Sequence, residues 1–299
     1  MAFSRRVTSS SLISWTSLLM ARNHSVFPEA IITKRRYDPV GKCIYCGRPA
    51  DGNDLLSEEH IIPLSFGGEL TLPKASCTKC RDITTRIEDR CVKTMIMTAR
   101  THLGIKGRQK LKKRSRLPVT VSSGGNIKTL SVPLEQHPSA IVMLQMPLPN
   151  AMSGISPATT TDDNFIVNGK FIIRPVVKEY FQKMNRLKDD VNIVNGITYS
   201  VFYQLIAKIA HSFAVAERGL NAFYPTLLPL IEFSSANLAD YYIGSGTIIP
   251  PTSKYLHEIG FAPDIQTPEG TLIVVKIRLF ANFNMPVHYA AVGFRNRNT

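Results

Sequence analysis

Residues 43–89 read CIYCGRPADGNDLLSEEHIIPLSFGGELTLPKASCTKCRDITTRIED, and this stretch decides the fold. Cys43 and Cys46 form one Cys-x-x-Cys pair, closed by Gly47, and Cys77 and Cys80 form a second, 30 residues further on. Two residues between cysteines let both sulfurs reach one ion while backbone N–H groups of the turn point at the thiolates. Two such pairs supply the tetrahedral thiolate set that zinc prefers in closed sites. Such a site is coordinatively saturated, so Zn2+ here is structural, and its binding energy becomes folding energy. A redox pair is the weaker reading, because no βαβ pattern surrounds either cysteine pair. Cys91 is left over.

Between the pairs stands Glu58-Glu59-His60-Ile61-Ile62-Pro63, followed by Gly67-Gly68. On a short strand, neighbouring side chains point to opposite faces or sit at a strand end, so Glu59 and His60 cannot substitute for each other. Phosphodiester hydrolysis needs a base to deprotonate water and a cation to stabilise the leaving oxygen. An imidazole suits the first task near neutral pH, and a carboxylate suits holding a hard divalent cation. One Glu-His pair alone is weak evidence; its place inside a zinc loop gives it weight.

The order Cys-x-x-Cys, Glu-His-Ile-Ile-Pro, Gly-Gly, Cys-x-x-Cys resembles the zinc-containing branch of the HNH endonuclease family over roughly residues 40–90. The resemblance implies a ββα-metal core: a two-stranded ribbon, a loop, and a helix clasping one catalytic cation. It implies His60 as general base, Glu59 as ligand of a catalytic Mg2+ or Mn2+, and Cys43, Cys46, Cys77 and Cys80 as structural zinc ligands. Two positions depart from the family pattern. The loop before the second cysteine pair usually carries Asn, and here reads Leu72-Pro73-Lys74-Ala75-Ser76. After the last cysteine the family often has Asn or His, and here Arg81 and Asp82 stand there. Asp82 is then the candidate second cation ligand, with Glu88 as another, and Arg81 a candidate phosphate contact.

Charge points to the same partner. Lys and Arg outnumber Asp and Glu by 36 to 22. Residues 1–116 hold 22 basic and 10 acidic residues, a net +12, against 14 and 12 over residues 117–299. A local field of this sign attracts polyanions, nucleic acid foremost. Residues 100–116, RTHLGIKGRQKLKKRSR, carry eight basic residues and no acidic one. Lys106, Arg108, Lys110, Lys112, Lys113, Arg114 and Arg116 are the candidate DNA contacts of this arm, and such contacts are salt-dependent. A solvated linker is the alternative for the arm. Arg86 and Arg90 share a helix face, where ordinary surface pairing is the simpler reading.

The expected fold class is α+β. A ββα-metal zinc module (31–99) stands behind a poorly structured tail (1–30). It leads through the basic arm (100–116) and a loop-rich connecting region (117–164) to a C-terminal α+β domain (165–299). In that domain Asn168-Gly169 reads as a hairpin turn and 176–187 as a helix. Ile197–Glu217 is apolar at helical spacing and stopped by Gly219. Leu272–Ala281 and Val287–Val292 read as strands. His211 falls on the helical stripe and reads as structural.

No run approaches the roughly 18 apolar residues of a membrane span. Paired thiols favour a reducing, cytoplasmic compartment, with a weak N-terminal targeting segment as the alternative. The expected function is a metal-dependent DNA endonuclease. The alternative is a zinc-stabilised nucleic-acid-binding module that has lost catalysis and carries a partner-recruiting C-terminal domain.

Overall fold

Strands β1 (Lys34–Arg36), β2 (Ser57–His60) and β3 (Glu69–Ser76) form a sheet in the order β1-β3-β2, with β1 parallel and β2 antiparallel to β3. Between β2 and β3 the chain makes one 3-10 turn, Leu64–Phe66, entered at Pro63 and anchored by the fully buried Phe66. A Cβ at Gly68 would fall 2.0 Å from the Ile62 carbonyl oxygen, so the loop can close only around a glycine. Helix α1 (Thr78–Cys91) starts with Cys77 at its N-cap and runs on through a π turn, Val92–Ile96, into Met97–His102. Ribbon and helix together are the ββα arrangement that the motif implied. The computed structural model describes residues 34–51, 55–105, 116–123, 126–137, 139–154, 166–171, 192–193, 199–232 and 238–295. The expected tail, arm residues 106–115 and the helix expected over 176–187 lie outside the described residues.

Beyond the module the chain is rich in sheet. β4 (Arg116–Ser123) pairs with β5 (Asn126–Pro133) and with β8 (Asn192–Ile193), and β6 (Ala140–Gln145) pairs with β7 (Ile166–Phe171). Asn168 and Gly169 lie inside β7, opposite Met143 and Val142, and form no turn. The local turn preference gives way to pairing with the apolar strand β6, because sheet pairing is set by tertiary context more than by propensity. Within the loop-rich connecting region, β4 and β5 pair along their length, and β6 covers the short apolar run from Ala140 to Leu144.

Helix α2 (Tyr199–Arg218) is buried on nearly every side, as a helix apolar all round should be. It packs on α1 and on β13 (Gly270–Leu279) and β14 (His288–Arg295). β13 and β14 form the centre of a six-stranded sheet completed by β9 (Tyr224–Pro225), β10 (Ile243–Ser245), β11 (His257–Phe261) and β12 (Ile265–Thr267). Alternate residues of β13 serve two cores. Ile273, Val275, Ile277 and Leu279 join the cluster that holds α2, while Leu272 and Val274 join a smaller one with Val287 and Ala291. The larger cluster is continuous from Cys43, Ile61 and Ile87 to Phe202, Phe213 and Val292, so the zinc module and α2 share one hydrophobic core.

Candidate functional site

The four cysteines come together from two turns. Cys43–Gly47 makes the first knuckle: Gly47 donates its N–H to the Cys43 carbonyl at 2.8 Å and adopts φ 72°, a value that favours glycine. Cys77 and Cys80 lie at the N-cap and in the first turn of α1. All four sulfurs lie within 4.8 Å of one another, with Cys46 Sγ 3.7 Å from Cys77 Sγ. Zinc–sulfur bonds of about 2.3 Å in a tetrahedron require sulfurs about 3.8 Å apart, so the residues present fit the ion. Backbone N–H groups of Tyr45, Cys46 and Cys77 favour the Cys43 thiolate, although burial outweighs them and pushes that thiol up. Burial also acts upward on Cys46, but the Arg48 N–H and the neighbouring thiols prevail and bring it down. Among the described residues, these four are the one group of three or more metal-ligating side chains so close together.

Strand β2 carries the remaining polar residues and divides them between its faces. Glu58 and His60 are partly exposed, whereas Glu59 between them is buried. On the open face, Arg36 donates to Glu58 Oε2, and Glu58 Oε1 lies 3.9 Å from His60 Nε2. The sheet register puts Arg36 and His60 on either side of Thr71, so a guanidinium, a carboxylate and an imidazole come together from two strands. Lys34, Arg35 and Arg36 are all exposed, and Arg36 lines a surface groove of about 560 Å³ with Glu58 and Lys74.

On the buried face, Glu59 meets Lys208 of α2. Lys208 Nζ lies 2.5 Å from Glu59 Oε1 and 2.9 Å from Glu88 Oε1 of α1. It also donates to the backbone carbonyls of His60 and, at 3.3 Å, Ile61. The Lys208 side chain is 0 % exposed and that of Glu59 5 %. Burial pushes the Glu59 carboxyl up; Lys208 opposes the rise and Glu88 adds to it. Burial pulls Lys208 down, but Glu59 and Glu88 outweigh it and hold the ammonium above its ordinary value. Burial thus decides the direction for Glu59, and two carboxylates around one ammonium decide it for Lys208. The Tyr45 hydroxyl, buried beside Glu59, has no partner at hydrogen-bonding geometry among the described residues.

Other side chains from the C-terminal half also hold carbonyls of the module. His211 Nε2 donates to Ile44 at 2.8 Å and His257 Nε2 to Phe66 at 2.9 Å. Burial brings both imidazoles down to about 4, against the pull of those carbonyls toward protonation. His211 is therefore a structural histidine, as its place on the stripe suggested. Cys91, the unpaired cysteine, is buried between the helices and donates to the Val201 carbonyl at 3.4 Å.

Residues 43–95 match the HNH endonuclease family model. No curated protein and no solved structure matches the chain. Within the matched stretch the expected site residues are distributed unequally. The four cysteines converge. His60 faces the open side, while Glu59, the expected cation ligand, is instead turned inward onto Lys208. Asp82 is exposed on the first turns of α1, 3.2 Å from the guanidinium of its neighbour Arg81, and joins neither cluster. Glu88 belongs to the buried one. Arg86 donates to the Asp82 carbonyl at 3.1 Å. Arg116 opens β4 with its guanidinium on Ser131, and Lys106, Arg108, Lys110, Lys112, Lys113 and Arg114 lie outside the described residues. Sequence reasoning missed Lys208, Arg36 and Glu58. For Lys208 a signal existed: a single charge inside the apolar run LIAKIA (205–210), which cannot be buried without a partner.

Proposed function

We propose that this protein binds nucleic acid, DNA in the first place, through its HNH module and hydrolyses phosphodiester bonds with His60 as general base. The observation that carries the reading is the Arg36, Glu58 and His60 set on the open face of β2, inside a loop framed by four clustered thiols. His60 takes a proton from the attacking water, and Glu58 beside it favours the imidazolium that results. Arg36, fixed by Glu58, and exposed Lys34 and Arg35 offer charge-assisted hydrogen bonds to phosphate oxygens. Arg81 and the basic residues from Lys106 to Arg116 are proposed as further phosphate contacts. These contacts position the backbone and carry no base readout. Cys43, Cys46, Cys77 and Cys80 would hold a structural Zn2+, which would close the loop and take no part in the reaction.

A divalent Mg2+ or Mn2+, when bound, stabilises the leaving oxygen in this class of chemistry. Glu59 does not fit that duty, because its carboxylate is buried and already paired with an ammonium. Asp82 faces solvent beside Arg81. No step is therefore assigned to a cation at Glu59. That pairing also favours a second reading, a module that binds nucleic acid without cutting it. Among the described residues no helix is long and apolar enough to cross a membrane. The clustered thiols suit a reducing compartment, proposed to be the cytoplasm.

Supercoiled plasmid incubated with the purified full chain, with Mg2+, with Mn2+ and with EDTA, separates the two readings. Nicking supports the nuclease. Retained DNA binding by a zinc-loaded protein that cuts under no condition overturns it in favour of the binding module.

A further inference from the structure

We propose that the Lys208 ammonium is the resident cation of the Glu59 site, occupying the place where the family resemblance puts a catalytic metal. The inference rests on the HNH reading of β2, though not on cleavage. Around Lys208 Nζ stand four oxygens: Glu59 Oε1 at 2.5 Å, Glu88 Oε1 at 2.9 Å, and the carbonyls of His60 and Ile61. Two carboxylates and two carbonyls are the oxygen set that a hard divalent cation takes. An ammonium has three protons for these four acceptors and one positive charge for two carboxylates. The set is therefore shaped for a cation and under-neutralised by the one it has. The Tyr45 hydroxyl, buried beside Glu59 and interacting with its carboxylate, adds a further oxygen near the set.

The placement has a consequence for the open face. Lys208 reaches from α2 across the shared core and holds the backbone of His60 itself, so it is a positioning residue for the imidazole on the other side of the strand. It touches no substrate, since its side chain is fully enclosed. In this chain a helix of the C-terminal half thus completes the module from within.

Manganese binding to the zinc-loaded full chain, followed by the loss of the free-ion paramagnetic resonance signal, tests the assignment without reference to activity. Wild type is expected to show no Mn2+ site that depends on Glu59. Lys208→Ala is expected to gain one Mn2+ per chain and to rise in Tm when Mn2+ is added. Lys208→Ala combined with Glu59→Gln is expected to lose both. One Mn2+ bound by wild type and lost in Glu59→Gln overturns the proposal, and that comparison needs no substitution of Lys208. A folded Lys208→Ala that binds no Mn2+ overturns it as well. The failure of plasmid nicking would leave these outcomes unaffected and would bear only on the nuclease reading.

Discussion

Glu58 and Glu59 are adjacent and chemically identical, yet they belong to different parts of the molecule. Glu58 stands at the surface between Arg36 and His60, where solvent screens every charge and side chains can rearrange around a substrate. Glu59 points the other way, into a core where Lys208 fixes it and partly exposed Glu88 shares that ammonium. The strand's period of two produces this division. Chemistry on a phosphodiester needs the accessible set, and rigidity needs the enclosed one. A motif read as one line of adjacent residues thus divides into an open face, the proposed reacting one, and a buried supporting face.

The largest effect should come from removing what both faces share. Stripping zinc with a chelator takes away a contribution of order 10 kcal/mol. Circular dichroism should show loss of the module's structure together with DNA binding. A chelated protein that keeps its fold and its DNA affinity would mean the four cysteines are not the closure of the loop.

Truncating one cation on each face sharpens the contrast. Lys208→Ala leaves the buried Glu59 carboxylate without its partner and should cost about 3–5 kcal/mol in urea denaturation. Arg36→Ala removes a pair whose arginine is 63 % exposed and should cost no more than about 1 kcal/mol. Equal losses would erase the distinction between the faces.

Acid should attack the supporting side next. His211, His257 and His288 are buried and held down at about 4 from an ordinary 6.5, burial outweighing their carbonyl partners Ile44, Phe66 and Leu144. Between those values the unfolded chain binds protons that the folded chain refuses. Their stabilising effect is therefore complete above about pH 6.5 and lost as pH falls to about 4. Each contributes on the order of 3 kcal/mol to that loss. Unfolding free energies across this window should slope less steeply in His211→Gln, and an unchanged slope would refute the assignment.

The smallest effects belong to the periphery. Neutralising Lys110, Lys112, Lys113 and Arg114 should weaken DNA binding and flatten the plot of log affinity against log salt by up to about 3–4 units of slope. An unaltered slope would remove the arm from the interface.

Much of the site was legible because it is local. Cys-x-x-Cys spacing is a property of one turn, and Gly67-Gly68 after Pro63 marks a tight loop whatever surrounds it. The apolar stripe through Phe202, Leu205, Ile209 and Phe213 gave α2 for the same reason. The fate of Glu59 was not legible, because it depends on Lys208, 149 positions away in the sequence. Asn168-Gly169 misled in the opposite sense: a strong local turn signal was overridden by the long-range partner β6. The Arg36 and Glu58 contact joins strands through a parallel pairing, β1 with β3, that no local pattern announces.

Plasmid nicking by wild type and His60→Ala side by side, with zinc content and DNA affinity measured on the same samples, tests the central claim most directly. The account predicts a loss of about 100-fold or more in the variant, the range for removing a general base, with zinc and DNA binding retained. Equal nicking by the two proteins would contradict it.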